Sequence, residues 1–351
     1  SLGGFHPRPK GRGILAAQIK LKKVVIAMSG GIDSSVAAAL LKRANFDVVG
    51  VFMKFWTPSS RISTNLNTNL HEFENRCCSL EAEKRARAVA KILGIPFYVF
   101  NFEKEFKKRI VDYFLKEYRA GKTPNPCVVC YNEIKFGWLL EKALKLNADY
   151  IATGHYARLR QHKLLKGKDK EKDQSYFLWQ LSQKQLSKVL FPVGNYTKPE
   201  VKELAKKFNL PVLDIKESME ICFIPKTLND FLSKYIKAKP GDIVNLKGKK
   251  IGRHQGLPFY TIGQRKGIEL SGGPAFAKAT AGKPFYVLKK DLKENKLIVV
   301  DTFEEKKLYS KKLIAKNVNW ISGELPKFPL KVKAQIRYGH KAVPATIKRK
   351  T

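Results

Sequence analysis

The sequence predicts an α/β fold, a doubly wound parallel sheet, followed by a small central linking domain and a β-rich C-terminal domain. Three observations carry this reading. From Val24 to Leu213 short apolar runs alternate with helical patterns, as in strands joined by helical crossovers. A glycine-serine loop follows the first apolar run at once, where a strand turns into a helix. After Cys222, glycine, proline and short β-prone runs replace the helical texture.

The elements follow in chain order. Residues 1–21 are a basic, Gly/Pro-rich lead without the apolar core of a signal peptide, and are expected to be flexible. Strands are expected at 24–28, 48–52, 97–100 and 150–153, and helices at 36–43, 80–93, 103–118 and 133–146. Ser79 offers an N-cap to the second helix, Glu81 and Glu83 suit its first turn, and Gly94 with Pro96 stops it. Thr197, Pro199 and Glu200 form a capping box with proline in the first turn, opening a helix that ends near Asn209. The lysine-dense stretch 163–172 reads as a mobile charged loop. The expected units are 22–223 for the α/β domain, 224–282 for the linker and 283–351 for the β-rich domain, with short strands at 243–246, 285–288, 297–300 and 332–336. Small residues dominate 272–282, which reads as an exposed or disordered loop.

The loop Ser29-Gly30-Gly31-Ile32-Asp33-Ser34-Ser35 has the makings of an anion cradle. Backbone N–H groups of the turn and the positive end of the following helix converge on one phosphate-sized spot. Gly30 and Gly31 let the backbone approach closely, and the serines add hydroxyl donors. Asp33 would repel phosphate unless a cation bridged them, so it implies Mg²⁺. The loop lacks a Walker lysine, and Gly121-Lys122-Thr123 lacks the first glycine of that motif and reads as a solvated loop. The serine-flanked loop instead resembles the PP-loop of the ATP pyrophosphatase superfamily. That resemblance implies ATP cleaved between its α and β phosphates, with an adenylylated substrate.

Five cysteines in 351 residues are too few for a disulfide scaffold. Cys77 and Cys78 read as small buried hydrophobes. Cys127 and Cys130 form one Cys-x-x-Cys pair; a zinc site would want a second. Cys130 falls near the expected start of the helix at Glu133, and a helix N-terminus with nearby lysines lowers a thiol's pKa. Cys222 lies between apolar neighbours, on a segment able to swing over the sheet end.

Net charge is +38, from 68 basic and 30 acidic residues. A solvated lysine-rich surface is one reading; a field this positive favours a polyanion, and nucleic acid above all. No apolar stretch reaches the roughly 18 residues of a membrane span, and there is no clean amphipathic helix for a membrane surface. A cytoplasmic location is expected.

Read together, these stretches closely resemble the bacterial tRNA-specific 2-thiouridylase family. The matching pieces are 27–35, Val51-Phe52-Met53-Lys54, 93–97, 123–136, Ala152-Thr153-Gly154-His155-Tyr156-Ala157, 172–178, Ile221-Cys222-Phe223-Ile224 and His254-Gln255-Gly256-Leu257. The resemblance implies ATP- and Mg²⁺-dependent 2-thiolation of a wobble uridine, on a PP-loop domain, a central linker and a C-terminal β-barrel-like domain. It implies a persulfide on Cys222, attack by Cys130 on that persulfide, and a Cys130–Cys222 disulfide afterwards. For the nucleotide it implies Ala27, Met28, Ser29, Gly30, Gly31, Ile32, Asp33, Ser34, Met53 and Gly154. Near the flipped target base it implies Asn125, Pro126 and Cys127, and at other tRNA contacts Lys172, Asp173, Gln174, Arg337 and Tyr338, with His155 beside the nucleotide glycine. His155 reads equally well as a buried histidine satisfied by a carbonyl. Tyr131, Tyr156, Trp56 or Trp179 could stack on the extruded base, with core packing favoured for Trp179. Expected partners are tRNA and a sulfur-relay or cysteine desulfurase donor protein.

The sequence departs from the family where Cys127 replaces an aspartate found in some members, and where 275–282 looks inserted. It also ends at Thr351, ahead of the family's usual final strands, so an incomplete last domain is expected. Three alternatives stay open at this stage. One is the same reaction through a [4Fe–4S] cluster on Cys127, Cys130 and Cys222. Another is a PP-loop amide-forming ligase acting on a small molecule. The third is an RNA-binding protein with a vestigial nucleotide site.

Overall fold

The computed structural model describes residues 21–57, 79–213, 221–268 and 284–349. Residues 1–20 of the lead, Cys77, Cys78, Ser218–Glu220 and the segment 272–282 lie outside the described residues.

β1 (Lys23–Ala27) is the centre of the first unit. Val24, Val25 and Ile26 are fully buried, as befits an unbroken apolar run covered on both faces. β2 (Asp47–Lys54) and β4 (Tyr150–Ala152) pair with β1 on either side, both parallel. β3 (Phe97–Asn101) lies outside β2, and β7 (Val189–Leu190) outside β4. The order β3-β2-β1-β4-β7 reverses direction between β1 and β4. That reversal opens a crevice at the carboxyl ends of these two strands, where ligands of open α/β sheets bind. The loops after β1 and β4 therefore face each other.

α1 (Ile32–Arg43) follows the glycine loop, and α2 (Leu80–Leu93) starts and stops as its capping residues dictate. The Ser79 side chain accepts from the Ala82 N–H, and Gly94 takes the left-handed conformation at φ 60°. The single helix expected at 103–118 is a continuous path in three parts: α3 (Glu103–Phe106), a π-helical stretch Lys107–Val111, and α4 (Asp112–Arg119). The helix expected to begin at Glu133 begins earlier, as α5 (Pro126–Cys130), with proline in its first turn. It continues through a π-helical stretch Tyr131–Trp138 into α6 (Leu139–Lys145).

The stretch expected to be a mobile charged loop is in good part a hairpin. β5 (Ala157–Arg160) pairs antiparallel with β6 (Lys163–Lys166). The two residues between them, Gln161 and His162, both have positive φ (49° and 59°). That is the geometry of a tight hairpin turn, made here without the Asn-Gly signal that betrays one in a sequence. Leu159 and Leu164 pack this hairpin on the main core, while Lys163 and Lys166 at the two ends of β6 are exposed.

α7 (Gln183–Leu186), α8 (Lys198–Lys207) and α9 (Leu228–Tyr235) follow. Phe231 and Leu232 of α9 are buried in the first core, where Phe231 meets Phe114, Phe223 and Trp56 edge-on. A second sheet has the order β10-β11-β8-β9, from β8 (Gly241–Val244), β9 (Lys250–His254), β10 (Phe285–Asp291) and β11 (Lys296–Asp301). It draws strands from both sides of residue 283, where the sequence suggested a boundary, because β11 pairs parallel with β8. Ile243, Ile251, Leu257, Val287, Leu297 and Val299 form its core. β12 (Leu330–Ala334) and β13 (Val343–Ile347) make a further antiparallel pair. Among the described residues no helix is long and apolar enough to cross a membrane.

Candidate functional site

The loop between β1 and α1 is shaped by steric necessity. Gly30 has φ 73°, and a Cβ there would lie 2.2 Å from the Ala82 carbonyl oxygen of α2. Arg85 Nε donates to the Gly30 carbonyl at 3.3 Å. Gly31 holds extended dihedrals at the N-cap of α1, and its carbonyl accepts from the hydroxyls of Ser34 (3.0 Å) and Ser35 (2.9 Å). The Ser34 hydroxyl also accepts from the Ser29 N–H at 3.2 Å. Across the crevice, a Cβ on Gly154 would meet the Ser34 nitrogen at 2.6 Å and the Asp33 carbonyl carbon at 2.7 Å. Glycine at 154 thus lets the loop after β4 touch the first turn of α1. Ala27, Met28, Ile32 and Met53 are buried around this turn, whereas Ser29 is exposed. Asp33 does not stand alone: its Oδ1 accepts from the Tyr156 hydroxyl and from Lys198 Nζ, each at 2.7 Å.

The thiol cluster adjoins this cradle. Cys127, Cys130 and Cys222 are free thiols; Cys222 is near enough to weigh on the ionisation of both others, and Cys127 on that of Cys130. The fold thus brings a cysteine from beyond α8 to the pair on α5. The expectation of an acidic Cys130 does not hold. Because the helix begins at Pro126, Cys130 is its last α-helical residue rather than its cap, and it is buried. Burial pushes its thiol well up, against the nearby Lys135 ammonium. Burial likewise pushes Cys127 up to about 11, with Cys222 adding to the effect and Lys135 opposing it.

A short path of contacts links cradle and thiols. His155 follows Gly154, and its ring meets Tyr131, the residue after Cys130, at 4.6 Å. His155 is buried, and its Nδ1 shares a 2.7 Å hydrogen bond with the Thr153 hydroxyl. Burial first, and Lys135 second, hold it well below the usual histidine range, so it is neutral. The sequence suggested His155 for the RNA side; as folded, its ring is walled by Tyr131, Phe136 and Phe191.

Lys172, Asp173 and Tyr338 lie together. Tyr338 packs tilted against Phe177, ring centroids 4.6 Å apart, and the Tyr176 hydroxyl donates to the Ile336 carbonyl. Lys172 and Asp173 lie near enough to Tyr338 to influence it, and Arg337 donates to the Ile262 carbonyl. Asp173 and Gln174 also hold the fold: Asp173 accepts from the Gly167 and Ser175 N–H groups, and Gln174 Oε1 from the Tyr156 N–H. Asn125 and Cys127 are half-buried at the start of α5, and Pro126 is buried. Of the aromatics offered for stacking, Tyr156 is buried, and Trp56 packs on Phe231 and Tyr235. Trp179, expected in the core, is 41% exposed instead, its backbone tied to Asn319 rather than its ring packed. Tyr131 is half-buried, beside the thiols.

Residues 22–226 match a family model described as a tRNA methyl transferase HUP domain, and 229–301 one described as a tRNA methyl transferase PRC-barrel domain. A "tRNA-specific 2-thiouridylase MnmA 2" of Geobacillus kaustophilus is 44% identical over 330 residues, 93% of this chain and 84% of that protein. A "tRNA-specific 2-thiouridylase MnmA" of Carboxydothermus hydrogenoformans is 44% identical over 341 residues, 93% of this chain and 87% of its own length. The chain belongs to the tRNA-specific 2-thiouridylase family. Among solved structures, a 4-thiouridine synthetase in complex with RNA and bound ATP aligns at TM-score 0.34 and 18% identity, over 61% of this chain and 50% of that one.

Two residues of this thiouridylase chain were missed in the sequence. Lys135 is the cation that acts on Cys127, Cys130 and His155 together, and sits 4.7 Å over the Tyr131 ring. Lys198 reaches Asp33 from α8. Lys135 lay in plain view beside the cysteines. Lys198 carried only a capping signal, and no local pattern points from α8 back to the first turn of α1.

Proposed function

We infer that this protein uses ATP to activate the 2-oxygen of a tRNA wobble uridine and replaces that oxygen with sulfur from a cysteine persulfide. The observation that carries this reading is the contact path from the cradle to the thiols: Ser34 against Gly154, His155 against Tyr131, and Tyr131 next to Cys130. The reading asks one ejected base to meet the nucleotide and the sulfur together.

The residues suit the group each is asked to hold. Gly30 and Gly154 let the loop pack against the backbone of α2 and of the loop after β4, which holds the start of α1 and its N–H groups in place for a phosphate chain. Mg²⁺ takes one or two carboxylates and finishes its shell with phosphates and water, and Asp33 offers one such carboxylate. When bound, it would neutralise phosphate charge. A [4Fe–4S] cluster fits less well: among the described residues no three Cys, His, Asp or Glu side chains are disposed to hold a metal.

The sulfur chemistry then follows from the thiols. Cys222 carries the persulfide. Cys130, deprotonated, attacks its inner sulfur; the Cys130–Cys222 disulfide forms as the outer sulfur leaves as hydrosulfide. Hydrosulfide adds to C2 of the adenylylated uridine, AMP leaves with the C2–O bond pair, and the sulfur's proton passes to N3. Tyr131 serves as a wall for the base, while His155, neutral, holds Tyr131 in place. Asn125, Pro126 and Cys127 line the base side, and Cys127, a thiol at neutral pH, offers a hydrogen bond as donor. Lys172, Asp173, Gln174, Arg337 and Tyr338 grip the tRNA. A sulfur-relay or desulfurase protein loads Cys222 in the cytoplasm.

The test is mass spectrometry of tRNA nucleosides after incubation with ATP and a persulfide donor. Thiolated uridine should appear with the natural chain and be lost in Cys130→Ser and in Cys222→Ser. Thiolation persisting in either variant rules out the relay.

A further inference from the structure

Lys198 is a buried cation at the cradle, and the reaction as drawn does not use it. Its Nζ lies 2.7 and 2.9 Å from the two oxygens of Asp33, and its side chain is only 8% exposed. The ammonium sits 5.9 Å over the Tyr156 ring, whose hydroxyl donates to the same Asp33 oxygen. Its backbone is fixed as well. The Lys198 N–H donates to Asp169 Oδ2 at 2.9 Å, and the Glu200 carboxylate accepts from the Thr197 N–H at 2.6 Å to anchor the start of α8.

Burying an ammonium and ordering a long side chain are both costly. Asp33 gives little reason for it. A carboxylate in the first turn of a helix is already favoured by the helix dipole, and this one is partly solvated. A phosphate chain gives a better reason. The cradle's own segment, Ser29 to Ser35, supplies N–H and hydroxyl donors but no cation, and Asp33 adds a negative charge. Triphosphate charge there needs a fixed positive partner, and α8 delivers one from 165 residues away.

We propose that Lys198 is a catalytic residue that contacts the nucleotide: its ammonium, parked on Asp33, turns onto the phosphate chain of bound ATP and stabilises the departing pyrophosphate. The proposal rests on the reading of the cradle as an ATP site. In the step it serves, uridine O2 bonds to the α-phosphorus as the α–β bridging P–O bond breaks. Pyrophosphate leaves with the bonding pair, and the N3 proton passes to water. Lys198 stays protonated throughout and donates N–H bonds to phosphoryl oxygens as their charge grows. Tyr156 keeps its bond to Asp33.

The experiment compares the full chain with Lys198→Met and Lys198→Arg. It measures affinity for ATP and for adenosine by titration calorimetry, and tRNA-dependent AMP formation in a single turnover. For Lys198→Met, ATP affinity should fall about tenfold with adenosine affinity unchanged, and AMP formation should fall about 10²- to 10³-fold. Lys198→Arg should recover part of the ATP affinity. The proposal is overturned if Lys198→Met binds both ligands as the natural chain does and forms AMP at a comparable rate. Should Lys198→Met fail to fold, Asp33→Asn with Lys198→Met removes the charge pair together and is compared with Asp33→Asn alone; equal AMP formation by the two overturns the proposal. A natural chain that forms no AMP with tRNA overturns the ATP reading itself, a result distinct from any failure confined to the variants.

Discussion

Cys127 and Cys130 lie within reach of the Lys135 ammonium, yet both thiols are shifted upward, because desolvation outweighs that one charge. With the folded pKa raised above the ordinary value of 9, the fold favours the protonated thiol. That preference stabilises the folded chain in full below pH 9 and is lost as pH rises through the folded values, about 11 for Cys127. Melting temperature should therefore fall between pH 9 and 11, and Cys127→Ser should fall less steeply over that window. Equal slopes in the two proteins would show that Cys127 is not held neutral by the fold. The same burial favours the thiol form of Cys130, so the proposed attack by Cys130 requires its deprotonation first.

At the scale of elements, the π-helical stretch Tyr131–Trp138 sets the register between the thiols and the rest of the helix. Widening the helix frees carbonyl groups from their usual partners, and such turns recur at functional sites. Gln185 of α7 meets them: its Nε2 lies 3.1 Å from the Phe136 carbonyl and 3.2 Å from both the Asn132 carbonyl and Asn132 Oδ1. Gly137 is needed inside the stretch, since a Cβ there would come within 2.8 Å of the Asn132 carbonyl oxygen. Gln185→Glu keeps the size and the cap on Ser182 but sets an acceptor against acceptors. It should cost about 1–3 kcal/mol in urea unfolding and slow thiolation. Unchanged stability would mean that the π-helical carbonyls find their partners elsewhere.

At the scale of the molecule, the net charge of +38 governs how tRNA arrives. Lysines lie on sheet, hairpin and helices alike, and such a basic surface binds phosphate with release of counterions. Between about 50 and 200 mM salt, tRNA affinity should fall about 10³-fold or more. Fluorescence anisotropy with labelled tRNA reads this directly, and a flat response would place the affinity in base contacts instead. The face that joins Lys172 and Asp173 to Tyr338 spans the first unit and the C-terminal strands, so the proposed tRNA contacts draw on both.

The sequence by itself determined the chemistry-bearing segments. The glycine-serine loop is local because its function is local: a strand end, a turn and a helix start are contiguous in the chain. The capped helix at Ser79, the central strands and the change of texture after Cys222 are legible for the same reason, since propensity and capping act over a few residues. What only tertiary structure decided is which distant groups meet and how dry they are. Helix α5 starts at Pro126, so Cys130 is buried instead of capping; Gln161 and His162 turn a hairpin without a turn signal. β11 reaches back to β8 across an expected boundary, and Lys198 finds Asp33 from α8. Desolvation and long-range pairing depend on everything packed around a group, and that information lies in the fold rather than in any window of the chain.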